Sequence, residues 1–140
     1  MPRDIIILAG YLVRCPLGGY AWQALHYLAG LRALGFDVYF YEDTAYYGDC
    51  FDPQTGAMHV APDAGIAFAA DFFDRMGFGD RWIFWDAERN QHHGLRPDAA
   101  RAVLDAARIL ITLAPVNRLP GVARGRRIFI DIDPGYTQIR

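Results

Sequence analysis

The sequence contains no lysine: all 14 of its basic residues are arginine. A uniform preference of this kind reflects a GC-rich genome and carries no functional message of its own. The 16 acidic residues leave a net charge of only −2. That balance excludes the basic field with which nucleic-acid-binding proteins and anionic-membrane binders attract their partners. Cysteine is scarce too. Cys15 and Cys50 do not make a disulfide scaffold, and no Cys-x-x-Cys spacing suggests zinc or redox chemistry, so free thiols in a reducing cytoplasm are expected. Long apolar runs are missing as well. Ile5–Leu8 is short and preceded by Asp4, which does not read as a signal peptide, and no stretch approaches the length of a membrane span.

What is present is the composition of a folded α/β protein, 53% hydrophobic and 21% charged over 140 residues, a length that suits one domain, residues 1–140. Ile5–Ala9 is an unbroken apolar run suited to a strand covered on both faces. The loop Gly10–Gly19 follows, and from Tyr20 the pattern turns helical, with Ala21, Ala24, Leu25, Leu28, Leu31 and Leu34 on one broad face. Gly35 stands where a left-handed C-terminal cap is wanted. Val38–Tyr41 reads as a second strand ending at Glu42-Asp43. Thr44–Pro62 is an irregular excursion whose aromatics Tyr46, Tyr47 and Phe51 are expected at the surface. A helix from Asp63 to about Met76 follows, with Ile66, Ala70 and Phe73 on one side. Trp82–Trp85 is a third strand, Asp86–Gly94 a polar loop, and Pro97 opens a third helix through Ala100, Val103, Leu104 and Ala107. Ile109–Leu113 and Ile128–Ile132 complete five strands. The alternation predicts a Rossmann-like, doubly wound parallel sheet of about five strands in the order 3-2-1-4-5.

In such a sheet ligands bind beyond the carboxyl ends of the strands, beside strand one. That rule selects Gly10–Gly19, Glu42–Asp49, Asp86–Gly94, Pro115–Arg118 and Asp133–Gln138. Gly18-Gly19 would let a ligand approach the backbone where free helix N–H groups favour an anion; an ordinary loop needing positive φ is the equal alternative. Arg14 could neutralise a phosphate or carboxylate, or lie solvated on the surface. Glu42 could hold ribose hydroxyls, or be a strand end meeting water. His92-His93 diverge on any regular element and make no metal pair; His93 or His92 is the candidate for substrate contact. Asn117 belongs to the Pro115–Arg118 segment. Asp131 and Asp133 would share one side of the fifth strand, and Asp133 before Pro134-Gly135 equally suits a turn. No nucleophile elbow or phosphate-binding Walker loop occurs.

Three segments carry a resemblance. Gly10-Tyr11-Leu12-Val13-Arg14-Cys15-Pro16-Leu17-Gly18-Gly19-Tyr20-Ala21-Trp22 resembles the first strand-loop-helix of bacterial GT-B fold glycosyltransferases. Leu34-Gly35-Phe36-Asp37-Val38-Tyr39-Phe40-Tyr41-Glu42-Asp43 resembles their second strand. Ile130-Asp131-Ile132-Asp133-Pro134-Gly135-Tyr136-Thr137-Gln138 resembles a segment of glycosyltransferase-like bacterial proteins. The resemblance implies an N-terminal, acceptor-side domain that faces a C-terminal Rossmann-like domain, the latter holding most of a nucleotide-sugar donor and absent from these residues. It implies transfer of a sugar to a small-molecule or glycan acceptor, with Gly18 and Gly19 near the donor diphosphate, no resident cofactor and no metal. Better-known members carry Lys-x-Gly-Gly, where this chain has Pro16 two residues before Gly18. Two other readings stand beside it. One is a nucleotide-cofactor-binding domain of an oxidoreductase, which lacks its three-glycine fingerprint here. The other is a noncatalytic domain that docks on another domain or chain.

Overall fold

The computed structural model describes residues 2–118 and 125–133. Its elements are β1 (Ile5–Ala9), α1 (Gly18–Ala33), β2 (Asp37–Asp43), β3 (Cys50–Asp52), β4 (Ala57–Val60), α2 (Asp63–Arg75), β5 (Trp82–Asp86), β6 (Gln91–Gly94), α3 (Pro97–Ala106), β7 (Ile109–Leu113) and β8 (Arg126–Ile130). Six strands form one sheet in the order β6-β5-β2-β1-β7-β8, and β3 pairs with β4 in a separate hairpin. β1 pairs in parallel with both β2 and β7, opposing Ile6 to Val38 and to Ile109. β5 and β8 extend the parallel ladder on either side, while β6 runs antiparallel to β5 at the edge.

Strand alternation sorts the core into two layers. Ile6 and Leu8 of β1, Val38 and Phe40 of β2, and Trp82 and Phe84 of β5 face α1 and α2. Ile7 and Ala9, Tyr41 and Ile83 face α3 through Ala100, Val103 and Leu104. The connections through α1 and α2 advance the chain one way along the sheet. The connection through α3 returns it across β2 and β1 to β7. Crossovers of a single hand that travel in opposite directions must lie on opposite faces, as these do. Phe73 anchors the thicker layer, its ring 5.2 Å from that of Phe40 and 5.6 Å from that of Trp82.

The expected α/β layering is present, and the strand count is corrected from about five to six with a two-stranded hairpin besides. Gln91–Gly94, read as loop, is a strand because Ala87–Asn90 turns the chain back on β5, Asn90 taking the left-handed conformation at φ 52°. The hairpin lies in the segment read as irregular. Asp52 closes its turn by accepting the Gln54 N–H at 2.9 Å and the Thr55 hydroxyl at 2.9 Å. Helix faces need smaller corrections. Leu34 is 75% exposed, because α1 ends at Ala33 and Leu34 is its cap residue, after which Gly35 at φ +92° turns the chain away. In α2 the buried set is Gly65, Ala69 and Phe73, one residue off the expected Ala70. The fifth strand ends at Ile130, so Asp131 and Asp133 do not share a strand face. The Asp133 N–H instead bonds to Asp131 Oδ1 at 3.1 Å, in a turn. Pro134–Gln138 lie outside the described residues.

α2 owes its position to Gly65. A β-carbon there would sit 1.8 Å from the Val13 carbonyl oxygen, so the helix touches the β1–α1 loop backbone to backbone. Gly65→Ala should therefore destabilise by about 3 kcal/mol, the upper part of the range for overpacking. Gly18→Ala, where an added β-carbon meets nothing within 4 Å, should change stability by less than about 1 kcal/mol in the stabilising direction. Urea denaturation of both variants measures the contrast.

Candidate functional site

The carboxyl ends of β1, β2 and β7 meet where the chain order reverses, and a buried carboxylate organises the junction. Glu42, near the end of β2, accepts the backbone N–H groups of Leu12 at 2.8 Å and Val13 at 2.7 Å on Oε2. Its Oε1 accepts the N–H of Arg14 at 3.0 Å and the Arg14 Nε at 2.9 Å. Both side chains of this ion pair are fully buried. The local sequence produces the arrangement simply. Leu12 and Val13 draw the loop into the core, where both are buried, and their N–H groups then need an acceptor inside the protein.

The rest of the Arg14 guanidinium ties the loop to its surroundings. One terminal nitrogen donates to the carbonyls of Tyr47 at 2.5 Å and Val116 at 2.9 Å, and the other to Asn117 Oδ1 at 2.8 Å. Its carbon lies 4.9 Å from the centre of the Tyr11 ring, a cation–π contact. Four of the five guanidinium N–H donors are thus directed at protein groups. Asn117 Oδ1 also accepts the Asp43 N–H at 2.9 Å, and its Nδ2 donates to the Gly10 carbonyl at 2.8 Å. The Asp43 carboxylate accepts the N–H groups of Ala45 at 3.0 Å and Arg118 at 3.1 Å.

Three of the candidate residues, Arg14, Glu42 and Asn117, therefore come together, but as a lock across the switch point. Arg14 is not on the surface, its guanidinium being bonded to protein groups, and Glu42 does not meet water at a strand end. The loop N–H groups that would cradle a pyrophosphate in a dinucleotide-binding domain are occupied by the chain's own carboxylate. Sequence reasoning gave these two residues external partners because both lie on the ligand side of the sheet. The burial of Leu12 and Val13 was the signal that they bond each other.

Gly18 and Gly19 stand apart from the lock, at the first turn of α1. Both are exposed, neither has positive φ, and an added β-carbon meets nothing within 4 Å at either. Packing and backbone conformation thus give no reason for glycine at these positions. Leu17, the cap residue, makes no side-chain bond to the helix, and the first turn carries no acid. Among the described residues no side chain caps the N-terminal N–H groups, an arrangement that suits an anion.

The other candidates are dispersed. His93 lies on β6 with its ring against Phe84, and His92 stacks on Trp85 on the opposite face, so the two rings diverge as adjacent strand residues must. Burial, with Arg101 and His93 nearby, pulls the His92 pKa below its usual range. Among the described residues no cluster of His, Cys, Asp and Glu could hold a metal ion. Neither cysteine is an activated nucleophile: burial pushes the Cys50 thiol up to about 11, and burial together with the Glu42 charge raises Cys15. The chain has no serine. Among the described residues no helix is long and apolar enough to cross a membrane.

No family model, curated protein or solved structure matches the chain.

Removing one partner of a buried ion pair leaves an uncompensated charge, which costs about 3–5 kcal/mol. Glu42→Gln does this to Arg14 and also turns an amide N–H₂ toward backbone donors. It should destabilise by that amount in urea denaturation, whereas Glu88→Gln, at an exposed turn position, should stay within about 0.5 kcal/mol. Equal, small losses would mean that the lock contributes little.

Proposed function

We propose that the chain is the acceptor-side domain of a glycosyltransferase-like protein, in which Gly18 and Gly19 of α1 approach the diphosphate of a nucleotide-sugar donor held by a second, C-terminal Rossmann-like domain. One observation supports this most. α1 begins with two glycines that neither its packing nor its backbone requires, at an uncapped and acid-free N-terminus on the ligand side of the sheet. Glycine at that point lets a phosphate reach the backbone N–H groups without a side chain in the way. The proposal extends to the fold as a Rossmann-like doubly wound sheet in the order 3-2-1-4-5. Its support is the adjacency of the parallel strands as β5-β2-β1-β7-β8.

The oxidoreductase reading fares worse on the same geometry. It requires the β1–α1 loop to hold pyrophosphate and an acid at the end of β2 to hold the ribose. Glu42 here is committed to the N–H groups of Leu12, Val13 and Arg14. Donor binding at Gly18-Gly19 makes no demand on those groups, so the lock and a diphosphate coexist. Within the proposal the lock keeps the loop rigid, which fixes the direction of α1.

In this reading the 140 residues alone transfer no sugar, and nucleotide release from a panel of nucleotide sugars stays at background. Uridine diphosphate at millimolar concentration should nevertheless shift the amide resonances of Gly18, Gly19 and Tyr20. Gly19→Val should abolish those shifts while changing stability by less than about 1 kcal/mol. Gly35→Ala, at φ +92°, should do the opposite. It loses about 1–2 kcal/mol from left-handed strain and keeps the shifts. Shifts that survive Gly19→Val, or none at saturation, would remove the support for this site.

A further inference from the structure

The β3–β4 hairpin and the β5–β6 turn enclose a cleft of about 360 Å³ lined by residues that include Thr44, His59, Pro62, Asp86, Glu88 and Arg89. Asp86, the last residue of β5, is only 3% exposed. Its Oδ1 accepts the N–H groups of Glu88 and Arg89, both at 3.1 Å, and so shapes the turn. Its Oδ2 is buried and has no hydrogen-bond partner among the described residues. Arg89 Nε forms an ion pair with that oxygen at 3.7 Å but stands too far to donate a hydrogen bond. The terminal nitrogens of Arg89 are turned instead to Asp63 Oδ2, each at 3.1 Å. A desolvated carboxylate oxygen without a donor is costly, and native folds retain such groups where something else satisfies them.

The charges around the cleft specify the donor. Asp86 and Glu88 line it, Asp63 stands behind Arg89, and Asp49 stands behind His59, whose Nδ1 lies 2.8 Å from Asp49 Oδ1. Carboxylates outnumber basic side chains here, four to two. A neutral hydroxyl would satisfy Asp86 Oδ2 but leave that excess uncompensated. An ammonium group does both, with three donors on one compact charge. The volume lies within the range of small-molecule pockets.

We propose that this cleft binds the primary ammonium group of a small organic amine, with Asp86 Oδ2 as its buried acceptor and Glu88 as a second carboxylate at the rim. The site is separate from the α1 N-terminus and does not depend on the glycosyltransferase reading.

The test is calorimetric titration of the full 140-residue chain at pH 6.5 with three amines, each beside its hydroxyl counterpart: ethanolamine and ethylene glycol, 1,3-diaminopropane and 1,3-propanediol, glucosamine and glucose. At least one amine should bind at least tenfold more tightly than its counterpart. Asp86→Asn keeps an oxygen for the turn N–H groups and should weaken that amine at least tenfold. Glu88→Gln, exposed and without a structural bond to lose through its side chain among the described residues, should weaken it two- to fivefold and guards against a misfolded Asp86 variant. Gly19→Val should leave amine binding unchanged. Equal binding within every pair, no binding by any amine, or amine binding indifferent to both carboxylate variants would each overturn the proposal.

Discussion

The carboxylate of Glu42 is the interaction on which the rest of this structure depends. It receives three consecutive backbone N–H groups and a guanidinium N–H within 3.0 Å, all from the loop that follows the first strand. In dinucleotide-binding α/β domains the corresponding N–H groups are offered to a phosphate. Here the anion is internal. A charge buried to this degree is tolerated only when paired and hydrogen-bonded on every side, and both conditions are met by Arg14 and the loop backbone. The loop is thus part of the core.

Several elements take their position from this fixed loop. Phe51 of β3 donates its N–H to the Arg14 carbonyl at 2.7 Å, which brings the hairpin onto the sheet's carboxyl edge. α2 rests on the Val13 carbonyl through Gly65. Asn117 links Gly10, Arg14 and Asp43, so the connection after β7 is drawn over the same junction. These contacts commit the loop N–H groups to the chain's own carboxylate, while a cavity of about 430 Å³ lined in part by Thr112, Asn117 and Phe129 lies beside β7. The two proposed sites lie outside these contacts: the exposed glycine start of α1 and the cleft that Asp86 lines.

Much of this architecture was legible in the sequence, and the parts that were not have physical reasons. β-branched runs such as Ile5–Ala9 and the three helices announced themselves, because their period and punctuation are local properties. Gly35 and Pro97 were read correctly as helix boundaries for the same reason. β6 was missed because Gln91-His92-His93-Gly94 is polar and becomes a strand only by pairing with the aromatic β5. The hairpin was missed because Cys50–Asp52 and Ala57–Val60 are too short to show a period. At the site, position was legible and partnership was not. Glu42, Arg14 and Asn117 were placed on the ligand side of the sheet, yet the groups that satisfy the buried carboxylate come from 28–30 residues away in sequence and Asn117 reaches back over as many as 107. Asp86 was passed over as the start of a loop, since its burial follows from the strand and hairpin that sequence did not reveal.

Amide hydrogen exchange at Leu12, Val13 and Arg14 measures the central claim directly. If Glu42 holds the loop as part of the core, these three amides exchange as slowly as those of β1, through global opening, and their protection is unchanged by added dinucleotide or diphosphate. Exchange at the rate of an exposed loop, or protection that appears only when a phosphate ligand is present, would contradict the account.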